Sequence, residues 1–346
     1  MSRAAISCGA AATADAGAGV LRTGGNAVDA VVAAAFASTV AEPGVSSLGG
    51  GGFLLVREPS GSSVLLDFFT SVPSGPMGAV QTVTVEYAGT TQDFHVGPQT
   101  VAVPGCLDGF LAAHARWGSL PLSEVVARAV SCARDGVVLD AGAAHAMELI
   151  APVLLLTPEI RARMAPQGHL LRAGETVRDA ELAQTLEAIG AGQLVGADLT
   201  YSDPVTAADV RDYTVIERQP LQVGIRGGRL ITNPMPSLGG SIVAHVLGDL
   251  AQGDLRFAAV VVHDAGDVGS EFDEFANRPL GAPRGAGEDE FGQPQEEGEE
   301  PRGRHVEDRA ERARPDRRGH RQQMRVAERA AVLSLGEQVA EGGAGE

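Results

Sequence analysis

Residues 24–56, GGNAVDAVVAAAFASTVAEPGVSSLGGGGFLLV, decide how the rest of the chain is read. A Gly-Gly break precedes Asn26, which stands where a helix N-cap belongs. Asp29 follows three residues on, where a carboxylate favours a helix start. The apolar run ends near Ala41 and turns at Glu42-Pro43-Gly44. Four glycines, Gly49 to Gly52, then lead directly into a strand, Phe53–Val56. Upstream, Ala10 to Arg22 sets Ala14, Ala18 and Leu21 on one helical face and stops at Gly24. Two helices with so short a link form an antiparallel hairpin. Downstream, Phe53–Val56 and Ser63–Phe69 flank Pro59-Ser60-Gly61 as a β-hairpin. Helices laid on a sheet give an α/β layered fold.

The same punctuation continues outward. Val101 to Gly136 reads as two helices. The first starts after Pro104-Gly105 and stops at Gly118; the second has Pro121 in its first turn and ends at Arg134 before Gly136. Asp179 to Ile189 is a shorter amphipathic helix with Leu182, Leu186 and Ile189 inward. Thr206 and Asp209 form a capping box with Asp in place of Glu. Strands at Leu221–Ile225 and Arg229–Thr232 lead through Pro234 to Gly240 into a helix, Ser241 to Leu250.

Composition bounds the function. A formal charge of −17 over 346 residues speaks against a nucleic-acid face or an anchor on anionic lipid, so neither nucleic acid nor membrane is expected as a partner. The 27 basic residues are all arginine, the mark of GC-rich coding DNA. Cys8, Cys106 and Cys132 are far apart, without metal-ligand spacing, and read as reduced thiols. His95, His114, His145, His169 and His245 are scattered singly. Neither a metal nor a cofactor is expected. The tetraglycine lacks the Lys and Ser/Thr of a phosphate loop and precedes a strand, so it reads as a close backbone passage at glycine-only dihedrals. The first residues lack the shape of a signal peptide and no apolar run is long enough to span a bilayer, which reads as cytoplasmic.

Three blocks together resemble the γ-glutamyltranspeptidase family, whose members are N-terminal-nucleophile hydrolases. They are the opening segment, VAVPGCLDGF with RWGSLPLSEVVARAVSCARDG (within residues 101–136), and TAADVRDYTVIERQPLQVGIRGGRLITNPMPSLGG (residues 206–240), covering roughly residues 4–256. The resemblance implies an αββα sandwich, present here as its large-subunit region and so incomplete. It implies cleavage of a γ-glutamyl amide, as in glutathione, with transfer to water or an amine through an N-terminal threonine. That threonine sits in the family's smaller subunit, behind a Thr-Thr-His-type motif. In this chain Thr90-Thr91, which reads as a solvated loop well before Val101, is the only Thr-Thr pair; Gln92 follows it, and the position is wrong. No catalytic residue is assigned, and a separate complementing small subunit would be the partner that supplies one.

A second departure concerns the substrate. After its second strand the family carries Asp-Phe-Arg-Glu, whose arginine clamps the α-carboxylate of the glutamyl group. Here the stretch is Asp67-Phe68-Phe69-Thr70, so Phe69 occupies the position of that arginine. A phenyl ring cannot pair with a carboxylate. Either Phe69 lines an apolar pocket for another acyl group, or it is plain core on a strand alternating Leu65, Asp67, Phe69. The two functional readings are a γ-glutamyltransferase-like enzyme and an inactive truncated homologue or scaffold.

The chain divides into residues 1–257 and a tail, 258–346. The tail holds 14 Val, Ile, Leu or Phe in 89 residues, below the roughly 20% needed for a core, and reads as a disordered polyampholyte. Its abrupt Arg, Gly, Ala, Pro and Glu bias is that of GC-rich DNA translated out of frame near codon 256. Near the change of composition Asp254, His263, Asp264 and Asp267 form a small cluster that is not taken as a metal site, and a short helix from about Gln322 to Leu335 is compatible with the tail's sequence.

Overall fold

A computed structural model describes residues 4–252 apart from Met77, Ala88, Ser202 and Arg226. The tail, its helix at 322–335 and the Asp254–Asp267 cluster lie outside the described residues. The chain divides into two compact units, one ending at Gln219 and the other beginning at Pro220.

The first unit opens with α1 (Ala11–Arg22), α2 (Ala27–Ala41), β1 (Gly52–Arg57), β2 (Ser63–Phe68), β3 (Gln81–Tyr87) and β4 (Thr90–Val96). It continues with α3 (Cys106–Trp117), α4 (Leu122–Asp135), β5 (Val137–Val138), α5 (Ala141–Leu149), α6 (Ala151–Leu154), α7 (Pro158–Met164) and β6 (Thr176–Val177). α8 (Ala180–Gly190), α9 (Ala207–Asp212) and β7 (Ile216–Arg218) complete it. The second unit is a hairpin, β8 (Leu221–Ile225) and β9 (Gly228–Thr232), with α10 (Leu238–Gln252) packed on it. Helices and strands thus mix as an α/β fold. Among the described residues the strands form one three-stranded antiparallel sheet, β1-β2-β7, and three two-stranded ribbons.

α2 is the centre of the first unit. Residues on nearly every face of it are buried, from Asp29 and Ala30 to Val40 and Ala41, as an almost wholly apolar helix requires. Asn26 caps it as the sequence predicts, its carboxamide oxygen accepting from Val28 and Asp29 N–H, and Asp29 completes a capping box by accepting from Asn26 N–H. α1 packs on one side of it at close range, since a β-carbon on Gly17 would lie 2.8 Å from the Ala30 carbonyl oxygen. α4 packs on another side and α8 on α4.

Three rings carry this core to the sheet. Phe36 of α2 meets Phe110 of α3 edge-on at 5.2 Å, and Phe110 meets Phe68 of β2 edge-on at 5.9 Å. Such edge-to-face pairs add about 0.5–1.5 kcal/mol each beyond burial. Phe68 can lie this close because Gly109 has no side chain; a β-carbon there would collide with the Phe68 ring.

The β1–β2 hairpin has the expected turn, with Phe53 opposite Asp67 and Gly52 opposite Phe68. The β3–β4 ribbon corrects the reading of Thr90-Thr91 as a loop: both threonines are exposed and open β4, paired to Tyr87 and Glu86. Pro121 is the N-cap of α4, one position earlier than expected, and the Thr206–Asp209 box starts α9 as expected. Among the described residues no helix is long and apolar enough to cross a membrane.

Candidate functional site

The end of β2 gathers three of the sequence blocks. β2 stops at Phe68, and Phe69 is the first residue beyond its ladder. Its ring is half-exposed and stacks on Phe53 of β1, centroids 5.6 Å apart and planes 17° from parallel. The plain-core expectation for Phe69 is therefore replaced. Phe68 takes the core position against Phe110, while Phe69, just past the ladder, stays half-exposed although Leu65 and Asp67 before it are buried.

The glycine run makes room for this arrangement. A β-carbon on Gly51 would lie 2.6 Å from Thr70 N and 2.9 Å from the Phe69 carbonyl carbon, so only glycine allows β1 to pass the Phe69 backbone. None of Gly49 to Gly52 lies in the left-handed region, which corrects the expectation that glycine-only dihedrals explain the run. Space explains it at Gly51. Next to it, the Gly50 carbonyl accepts from Gly105 N–H (2.9 Å) and Cys106 N–H (3.0 Å). α3 has no side-chain cap, so this carbonyl contributes the acceptor its N-terminus lacks.

Hydrogen bonds from side chains hold the Phe69 peptide groups. Its N–H donates to Asp67 Oδ1 at 2.9 Å, and its carbonyl accepts from the Tyr213 hydroxyl at 2.8 Å. Asp67 is buried and its other oxygen accepts from Arg218 Nε at 2.5 Å. Tyr213 comes from the block just after α9. That helix is fixed beside residues 71–75 by Asp209, whose carboxylate accepts from Ser74 N–H at 3.0 Å. Hydrogen bonds from Ser74 and Thr206 pull the Asp209 carboxyl down to about 2.

Burial shifts the neighbouring ionisable groups towards their uncharged forms. Burial pushes the Cys106 thiol up to about 11, so it is a packed thiol and not a nucleophile. Burial also raises the Asp108 carboxyl. The Tyr201 phenol is pushed up to about 12 by burial, then by Asp108 and Cys106. Burial first, then Asp67, Asp108 and Cys106, raises Tyr213 further, so it stays a hydrogen-bond donor at any working pH.

Within the first unit the structure brings none of the scattered histidines to this site. His114 Nε2 lies 2.9 Å from the Leu120 carbonyl, His95 bonds Thr82, His169 bonds Glu175, His145 is exposed, and His245 is buried on α10. Among the described residues no three His, Cys, Asp or Glu side chains converge as metal ligands. Tyr213 and Arg218 escaped sequence reasoning, since a partner about 150 residues away leaves no local period.

Comparison with known proteins bears on the whole architecture. The sequence profile of the γ-glutamyltranspeptidase family matches residues 13–265. The chain belongs to that family. Among curated γ-glutamyltranspeptidase-family relatives it is 32% identical to the acylase ACY 1 proenzyme of Pseudomonas sp. (strain V22), over 69% of this chain and 46% of that protein. It is 29% identical to the glutathione hydrolase proenzyme of Escherichia coli (strain K12), over 75% of this chain and 47% of that protein. The chain thus spans about half the length of the curated relatives it matches. Among solved structures, the γ-glutamyltranspeptidase of Pseudomonas nitroreducens complexed with L-DON superposes with a TM-score of 0.60 at 27% identity, covering 77% of this chain and 81% of that one.

Proposed function

We propose that this chain is the acyl-binding half of a γ-glutamyltranspeptidase-family amide hydrolase or acyltransferase, and that the acyl group it takes is apolar. The observation carrying the second part is the half-exposed Phe53–Phe69 stack, at the position where the family's glutamyl-binding arginine is expected. Two phenyl faces offer an acyl chain dispersion and burial and offer a carboxylate nothing. A relative named as an acylase, 32% identical, agrees with this direction. The threonine nucleophile and the oxyanion donors would come from a complementing small subunit. By itself the chain is then a binding scaffold without turnover.

Purified full-length chain tests both parts. Incubation should leave a single uncleaved band and release no p-nitroaniline from γ-glutamyl-p-nitroanilide; self-cleavage or release would overturn the need for a second chain. In calorimetric titration, hexanoyl-p-nitroanilide should bind measurably more tightly than γ-glutamyl-p-nitroanilide. Phe69→Ala should weaken the hexanoyl compound about tenfold, roughly the worth of one buried aromatic contact. Phe69→Arg should reverse the preference, because a guanidinium fork pairs with the α-carboxylate. Equal binding of both compounds to all three proteins would refute the apolar site.

A further inference from the structure

We infer that Tyr213, with the Asp67–Arg218 pair, is a positioning device for Phe69, and so sets the acyl preference without touching the acyl group. This rests on the apolar-site reading above, but the clamp itself is a matter of the Phe69 backbone.

Phe69 lies one residue past the β2 ladder. A residue at a strand end ordinarily frays, since its peptide groups have only water as partner. Here both are held by side chains. Asp67 accepts a hydrogen bond from the N–H at 2.9 Å, and the Tyr213 hydroxyl donates one to the carbonyl at 2.8 Å. Each clamp is itself fixed. Asp67 is 5% exposed and paired to Arg218, whose strand β7 runs antiparallel to β2 with Asp67 opposite Ile216. The Tyr213 ring lies over Gly105, where any β-carbon would collide with its hydroxyl and with the Phe68 carbonyl. Tyr213 also packs on the small apolar cluster of Val103, Val205 and Val210. Gly51 closes the other side of the Phe69 backbone. With its main chain held from three directions, the Cα–Cβ bond of Phe69 has a fixed direction, and the ring stacks on Phe53.

A structural tyrosine and a positioning tyrosine differ in what their loss does to the Phe69 ring. Incorporation of 4-fluorophenylalanine at position 69 of the full chain gives a fluorine resonance shielded by the Phe53 ring. Tyr213→Phe keeps the ring over Gly105 and removes only the bond to the Phe69 carbonyl. The resonance is expected to move towards that of an exposed ring and to broaden, with the far-ultraviolet circular dichroism unchanged. Arg218→Gln, which frees Asp67, should move it the same way and serves if Tyr213→Phe does not fold. Tyr201→Phe, whose hydroxyl makes no hydrogen bond to Phe69, should leave it in place. Hexanoyl-p-nitroanilide affinity should fall about fivefold in Tyr213→Phe, the effect of one hydrogen bond. An unmoved resonance in folded Tyr213→Phe and Arg218→Gln overturns the clamp. A moved resonance with unchanged hexanoyl affinity upholds the clamp and overturns the apolar-site reading instead.

Discussion

Gly105→Ala should lower the stability of the full chain by about 3 kcal/mol or more, the upper end for forcing one carbon into a filled interior. For an ordered region of this size that is a fall in melting temperature of about 6–12 °C. The added methyl would collide with the Phe68 carbonyl oxygen and the Tyr213 hydroxyl. Neither can retreat cheaply. Phe68 is paired across the sheet to Gly52 and packed edge-on against Phe110, while Tyr213 is bonded to the Phe69 carbonyl. A shift of the helix start would break the two bonds from Gly105 and Cys106 to the Gly50 carbonyl. The contrast is Gly19→Ala in the interior of α1, where the nearest atom to a new β-carbon is the end of Arg22 at 4.0 Å. There the alanine should stabilise by about 0.5–1 kcal/mol through helix propensity alone. Thermal unfolding of the two variants beside the parent decides the matter, and a Gly105→Ala protein as stable as the parent would show that the helix start is looser than the geometry says.

The second large effect belongs to Asp29. Its carboxylate is fully buried and accepts from Ser119 N–H at 2.9 Å, the Ser119 hydroxyl at 2.5 Å, Asn26 N–H at 2.9 Å and, more weakly, Leu120 N–H at 3.5 Å. Asn26 adds a bond from its amide nitrogen to the Trp117 carbonyl at 2.6 Å. One side chain therefore joins the start of α2 to the α3–α4 turn. Asp29→Ala strands several of those donors, each worth about 1–3 kcal/mol when left unpaired, for a loss of about 3–4 kcal/mol. Asp29→Asn keeps one acceptor oxygen and should cost about half as much.

Asp29 also gives the protein a defined acid limb. Burial acts to raise its carboxyl, but the hydrogen bonds from Ser119, Asn26 and Leu120 outweigh it and hold the group below the usual carboxylate value. A folded value below the unfolded one means the contribution is fully present above the unfolded value of about 3.9 and is lost as pH falls through the folded one. The melting temperature of the parent should thus drop more steeply than that of Asp29→Asn as the pH is lowered from about 5. Parallel acid limbs for the two proteins would contradict this role.

How much of this was legible beforehand depends on range along the chain. The Asn26 cap, the Thr206–Asp209 box and the β1–β2 turn are written within four to ten residues, and each forms as read. The partner of Asp29 is not: Ser119 lies 90 residues on, and only the fold brings WGSLP to GGNAVDA. The β3–β4 ribbon was passed over although Val83 and Val85 alternate with threonines, because its threonines and Glu86 made the segment look like a loop. α5, α6 and α7 are four to nine residues long, too short to show a period. At the candidate site the family motif places Phe69, but its half-exposed stack on Phe53 is set by the end of the strand, which the pattern of Leu65 and Asp67 does not mark.

Phe68 and Phe69 are adjacent yet answer to different constraints. Phe68 is locked between Phe110 and the gap left by Gly109, so a change there must be matched by changes in α3. Phe69 owes nothing to the interior: its main chain is held by Asp67 and Tyr213 whatever side chain it bears. If position 69 contacts the acyl group as proposed, its choice of substrate could drift by single substitutions, arginine to phenylalanine or back, with the scaffold left intact. A fold built this way separates what must be inherited from what is free to be retuned, and does so across one peptide bond.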